Sequence, residues 1–137
     1  MYNTARYGSP PPIHVPIEPM DINKDLMAAS STPIVLAILA EDDSYGYAII
    51  QRVRELSGGR MNWTDGMLYP VLHRLERLGY VEARWEASET GRKRKYYRIT
   101  ADGRAQLDEE RKQWKAVDAT LRGIWRYAPF TPALQGI

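Results

Sequence analysis

Residues 92–98, Arg-Lys-Arg-Lys-Tyr-Tyr-Arg, place five basic side chains in seven positions. Fixed positive charge at that density is chemistry for holding a polyanion, because each cation can replace a counterion at a phosphate. The same residues alternate as a β-strand does, Tyr97 and Ile99 to one side and Tyr96 and Arg98 to the other. A strand of this kind can root its apolar end in a core while its basic end projects. A solvated charged hairpin would have the same composition, so the flanking elements must decide between the two.

Other reactive residue types are sparse. The 137 residues include two histidines, His14 and His73, and no cysteine. Disulfides, thiolate metal sites and cysteine nucleophiles are therefore excluded. His73 has no second histidine or cysteine at metal-ligand spacing, so no metal is expected. No nucleophile or nucleotide-binding signature is present, and Gly58-Gly59 lacks the lysine and strand context of a phosphate loop. The chain reads as a non-enzyme without a cofactor. Its net formal charge is only +2, so nucleic-acid binding would have to come from a local patch. The longest apolar run, Pro33 to Ala40, is far too short for a membrane span, and no signal-peptide pattern opens the chain. A cytoplasmic protein with no membrane partner is expected.

The elements that position the basic strand can be read from periodicity. Residues 1–22, with Gly8, Ser9, Pro10, Pro11, Pro12, Pro16 and Pro19, read as a flexible Pro-rich extension. A first helix covers roughly Lys24 to Glu41, with Pro33 inside it and Thr32 as the N-cap of a kink or restart. Its second half is apolar all round, which requires burial of more than one face. Leu36 and Leu39 are accordingly expected to meet a second subunit. A second helix runs from about Tyr45 to Leu56 on an Ile49, Ile50, Val53, Leu56 stripe. Gly46 near its start permits a close backbone approach. A third helix starts after Thr64 and buries Leu68, Val71, Leu72, Leu75 and Leu78. Val81 to Glu86 alternates as a strand, turns around Ser88 to Gly91, and pairs with the basic strand as a hairpin.

A last helix extends from Thr100 to about Arg126. Leu107, Trp114, Val117, Leu121 and Ile124, with Glu110 filling the one polar position, form a seam of alternating three- and four-residue spacing. Little of the chain remains to cover that seam, so a homodimer is the natural reading, with packing back onto the first helix as the alternative. Residues 127–137 read as a tail.

Three helices, a two-stranded β-hairpin and a long helix make a mainly α protein with the plan of a winged helix-turn-helix. The winged domain would span residues 23–100 and the C-terminal dimerisation helix residues 101–126. In that plan the third helix enters the major groove of double-stranded DNA and the hairpin lies beside it as a wing. The residues then expected at DNA are Tyr47, Thr64, Gly66, Met67, Tyr69, Pro70, His73, Arg74 and Arg77, together with Arg92, Lys93, Arg94 and Lys95 at the wing tip. For Arg74 and Arg77 the alternative is surface ion pairing with Glu76 or Glu82. For Tyr69 it is a core position. A winged-helix protein-interaction module without DNA binding remains the alternative for the whole chain.

Three segments in order also resemble a known family. Tyr45-Gly46-Tyr47-Ala48-Ile49-Ile50, Leu68-Tyr69-Pro70-Val71-Leu72-His73-Arg74-Leu75-Glu76 and Gly91 to Thr100 are similar to the signature segments of PadR-like transcriptional regulators. The resemblance covers roughly residues 32 to 126 and leaves the Pro-rich extension outside it. It implies a prokaryotic repressor, a winged-helix homodimer of the smaller subfamily with a single C-terminal helix. It also implies an effector site, in which a tryptophan of the last helix stacks on a planar aromatic, often cationic, compound. Trp114 matches that position, and Asp118 one turn on would favour a cation. A plain interface anchor is the alternative role for Trp114.

Overall fold

In the computed structural model the described residues are 21–127. The Pro-rich extension up to residue 20 and the tail from residue 128 lie outside them. Seven elements follow in order: α1 (Lys24–Glu41), β1 (Ser44–Tyr45), α2 (Gly46–Leu56), α3 (Asp65–Arg77), β2 (Val81–Ala87), β3 (Lys93–Ile99) and α4 (Ala101–Tyr127).

Three of the helices begin where a short polar side chain can satisfy a free N–H. Asn23 Oδ1 accepts from the Asp25 N–H at 2.7 Å to start α1. Thr64 Oγ1 accepts from the Met67 N–H at 3.3 Å to start α3. Thr100 Oγ1 accepts from the Gly103 N–H at 3.0 Å to start α4 and also donates to the Gly79 carbonyl at 2.7 Å. The turn between α2 and α3 needs left-handed backbone at Gly58 and Gly59, whose φ angles are +63° and +86°.

Two expectations about these elements are corrected. Helix α1 does not restart at Pro33 and runs unbroken through it. Ser30 and Ser31, in the turn before the proline, donate their hydroxyls back to the Leu26 and Ala28 carbonyls at 2.7 and 2.8 Å, as serines inside helices do. The sheet has three strands in the order β1-β3-β2, all antiparallel, where a two-stranded hairpin was expected. Strand β1 is only two residues long and pairs Ser44 with Tyr97 and Tyr45 with Tyr96, so β3 becomes the central strand.

The core joins Val35, Leu36, Ile38 and Leu39 of α1 to Ile49, Ile50 and Val53 of α2 and to Leu68, Val71, Leu72 and Leu75 of α3. Val81, Tyr97, Ile99 and Leu107 close it. Leu56 and Leu78, expected on the same helical stripes, are corrected to exposed positions at the helix ends. Leu36 and Leu39 are 0% and 1% exposed within the single chain. They have no surface left to give a second subunit, and their assignment to a dimer interface is corrected. Leu107 is likewise 4% exposed and belongs to the protomer core. Most of the apolar circumference of α1 is covered internally, by α2, α3, β3 and the start of α4, while Pro33, Ile34 and Ala37 remain half-buried. Further along α4 the cover ends: Val117, Leu121, Ile124 and Trp125 are exposed.

The two halves of the chain meet tightly where α4 leaves the sheet. The Thr100 N–H donates to the Tyr80 carbonyl at 3.0 Å. A Cβ on Gly103 would lie 2.1 Å from that same carbonyl oxygen and 2.8 Å from Ile99 Cγ1. Only glycine lets α4 cross the backbone there.

Candidate nucleic-acid interface

The hairpin register determines which hairpin side chains share a face. Val81, Ala83, Trp85 and Ala87 of β2 lie directly across from Ile99, Tyr97, Lys95 and Lys93 of β3. Facing pairs of this kind project to one side of a sheet. At the root of the hairpin that side is the core, with Val81, Tyr97 and Ile99 buried. Toward the tip the helical cover ends, and the face continues as Trp85, Lys95, Ala87 and Lys93.

This overhang forms one wall of a cleft. Tyr45, Gly46 and Tyr47 at the start of α2 form another, and Tyr69 of α3 lies between them. Arg92, Lys93, Arg94 and Lys95 line the wing side. Gly46 is what brings α2 this close to α3, since a Cβ there would overlap the Tyr69 hydroxyl, 2.3 Å away. Tyr69 is therefore half-buried, holding the two helices together while its ring remains at the cleft, tilted against His73 with centroids 6.2 Å apart.

The four cations are not equivalent. Lys95 Nζ stands 3.9 Å from Glu76 Oε1 on α3 and 5.5 Å from the centre of the Tyr97 ring. The Arg94 guanidinium lies 4.4 Å over the Tyr45 ring. Both are partly buried and fix the wing against the helices by cation–π and ionic contacts. Arg92 and Lys93 are exposed. Behind them, burial pushes the Tyr97 phenol up to about 12, with the charges of Glu76 and Tyr69 adding to the shift. The root of the wing is thus anchored by a buried phenol whose neutral form is favoured.

Successive residues of α3 advance by about 100°, so side chains sort onto faces. Gly66, Pro70, His73 and Arg77 fall opposite the buried leucines, and all four are exposed. A Cβ on Gly66 would meet nothing nearer than Thr64 Oγ1 at 3.8 Å, so the fold itself does not demand glycine there. Thr64 is exposed at the N-cap, and Tyr47 is exposed at the cleft edge. Met67 and Arg74 lie on a different flank. Met67 is half-buried against Trp63 and Val71, facing α1. Arg74 donates to Thr32 Oγ1 of α1. Neither Glu76 nor Glu82 pairs with Arg74 or Arg77. Glu76 faces Lys95, and Glu82 accepts from Arg98 at 2.7 Å.

The cleft thus joins Tyr47, Tyr69 and the four wing cations, with the Gly66–Arg77 face of α3 beside it. Arg74 and Met67 are not among its lining residues. Three of its members, Tyr45, Gly46 and Trp85, were not anticipated as site residues. The strand alternation put Trp85 on the same face as Val81 and Ala83, but a four-residue turn at 88–91 would set it across from Arg94. The observed register, with the Ser88 N–H donating to the Arg92 carbonyl at 2.7 Å, sets it across from Lys95 instead. Among the described residues no group of three or more histidines and carboxylates could hold a metal, and no helix is long and apolar enough to cross a membrane.

Trp114 lies elsewhere, half-buried at the mouth of an apolar groove of about 440 Å³ between α1, the end of α2 and α4. Asp118 is on the outer surface beyond it and accepts from Arg122 Nε at 2.8 Å. Its charge is therefore already partly matched.

Comparison with known proteins agrees with this architecture. The model of the transcriptional regulator PadR-like family matches residues 35–109. A transcriptional regulator of Mycobacterium tuberculosis is 37% identical over 78 residues, which are 57% of this chain and 69% of that protein. The structure of a transcriptional regulator from Clostridium thermocellum superposes with a TM-score of 0.68 at 29% identity, over 74% of this chain and 96% of that one. A PadR-like transcriptional regulator from Bacillus cereus gives a TM-score of 0.68 at 27% identity, over 77% of this chain and all (100%) of the other. The family comprises transcriptional regulators, not enzymes. With the family model covering the core, α2, α3, the hairpin and the root of α4, and full-length structural neighbours sharing the fold, this chain belongs to the PadR-like family of transcriptional regulators.

Proposed function

We propose that the chain is a sequence-specific DNA-binding repressor that acts as a homodimer on a palindromic operator and is released by a planar aromatic ligand. The observation that carries DNA binding is the continuity of the exposed α3 face with the basic cleft wall. Gly66, Pro70, His73 and Arg77 would face base edges or phosphates in the major groove, with Thr64 at its entrance. Tyr47, Arg92, Lys93, Arg94 and Lys95 would meet the flanking backbone. Arg74 and Met67 act through the fold, by holding α3 on α1.

The homodimer reading rests on the far end of α4. Val117, Leu121, Ile124 and Trp125 are about half exposed in the single chain, and Trp114 begins the same stripe. A contiguous apolar stripe of that length marks a protein contact. In a selection from random duplexes the chain should enrich an inverted repeat with half-site centres about 10 bp, one helical turn, apart. It should sediment on that DNA as two copies, and the selected site placed over a promoter should lower reporter output. No enrichment above random duplex would leave the interaction-module reading in its place, and raised output would make the protein an activator.

The effector reading rests on the groove lined by Pro33, Ile34, Ala37, Val53, Leu56 and Trp114. It is apolar and touches α2, so an occupant would bear on the helix-turn-helix. Because Arg122 engages Asp118, a neutral planar aromatic fits the groove as well as a cationic one. Titration with such a dye should quench tryptophan emission, and Trp114→Ala should remove most of the quenching. Equal quenching in the variant would move the site to Trp63, Trp85 or Trp125.

A further inference from the structure

We infer that Trp85 is a DNA-contacting residue of the wing, whose indole packs on the sugar edge of the groove next to the one occupied by α3. The inference rests on the DNA-binding reading above and assigns a residue which that reading does not include.

Trp85 is 65% exposed, in a domain whose other large hairpin anchors on the same face are almost fully buried. The register makes this placement specific. Val81 and Ala83, across from Ile99 and Tyr97, lie over the core. Trp85 is the next position on that face and the first beyond the helical cover. Its direct neighbour is Lys95, and Lys93 follows one pair further out. With Tyr47, Tyr69 and Arg92 it lines the cleft. Any duplex that brings phosphates to Lys93 and Arg92 must therefore also meet the indole. A large aromatic in that position excludes water from sugar and base edges and contributes affinity that does not depend on counterion release. Apolar side chains beside cations are a recurrent way to hold the shallow sugar-lined groove.

That distinction between ionic and apolar binding supplies the test. Binding of the selected operator duplex is followed by fluorescence anisotropy over a range of salt for the full chain, Trp85→Ala, Trp85→Phe and Lys93→Ala. Trp85→Ala should weaken binding about tenfold at every salt concentration with the salt slope unchanged, the effect of removing one good aromatic partner. Trp85→Phe should restore part of the affinity. Lys93→Ala should instead reduce the slope by about one for each phosphate that the lysine holds. Acrylamide quenching gives an independent readout: DNA should shield part of the parent's tryptophan emission, and Trp85→Phe should lose that shielded part. Because Trp85 is exposed, circular dichroism and sedimentation of the variants should match the parent. Parent-like affinity of Trp85→Ala on an operator that the parent binds would overturn the role of Trp85 while leaving DNA binding intact. A parent that selects no operator would overturn both readings.

Discussion

Replacing Arg92, Lys93, Arg94 and Lys95 together by alanine should abolish operator binding at physiological salt, and should do so on every DNA sequence alike. The protomer carries a net charge of only +2, so removal of four cations makes it net acidic and reverses the long-range field at the cleft. Each phosphate that no longer meets a cation lowers the salt slope by about 0.9. If half of the cations on two wings touch phosphates, the slope falls by about four, and affinity near 0.15 M salt drops by several orders of magnitude. The single variants should separate two roles. Arg92→Ala and Lys93→Ala remove solvent-exposed cations and should act through the slope. Arg94→Ala and Lys95→Ala also release Tyr45 and Glu76, so they should loosen the wing itself. Anisotropy titrations at several salt concentrations, with circular dichroism to verify the fold, read all of this. A quadruple variant that binds as the parent does would remove the wing from the mechanism.

The second large effect is on stability. Gly103→Ala inserts a methyl group 2.1 Å from the Tyr80 carbonyl oxygen and 3.0 Å from its carbon. That carbonyl is held by the Thr100 N–H at 3.0 Å and cannot rotate aside without breaking the bond. Overpacking against a side chain costs about 1–3 kcal/mol. Against fixed backbone the upper end is expected, which for a domain of this size lowers Tm by about 10 °C. Gly66→Ala is the matching control, because its methyl group makes only an ordinary contact with Thr64 Oγ1 at 3.8 Å. There the better helix propensity of alanine, worth up to about 1 kcal/mol, should leave Tm unchanged or slightly raised, and any deficit should appear only in DNA affinity. Thermal melts that put Gly103→Ala close to the parent would mean that α4 can slide off Tyr80 at little cost.

Much of this organisation was legible in the sequence because the helices carry clean stripes and short polar caps. The α1 bounds, the Thr64 cap and the presence of the hairpin follow from local rules of that kind. The hairpin register does not, since a four-residue turn at 88–91 would set Trp85 across from Arg94 and not Lys95. The departures share a cause. Periodicity identifies an inward face but not what covers it, so Leu36 and Leu39 in the all-round apolar half of α1 pointed to a partner when the same chain already buries them. Strand β1 has no propensity signal of its own and exists because β3 offers it a free edge. In the candidate site, the residue types were legible and their partners were not. Arg74 turned to Thr32, and Glu76 to Lys95. Trp85 looked like one more strand residue until the end of the helical cover left it in the cleft.

The Thr100–Gly103 crossing has a consequence for how a dimer would measure DNA. Helix α4 has 27 residues, about 40 Å at 1.5 Å per residue, and it leaves the winged domain through a joint with no spare volume. In the proposed dimer this helix is a ruler fixed at its base. A tilt of only about 10° at the crossing would move its far end by about 7 Å, roughly a fifth of a DNA turn. The missing methyl group at position 103 would then set the tolerance with which two α3 helices are spaced along an operator, and longer or shorter spacers between half-sites should be rejected sharply.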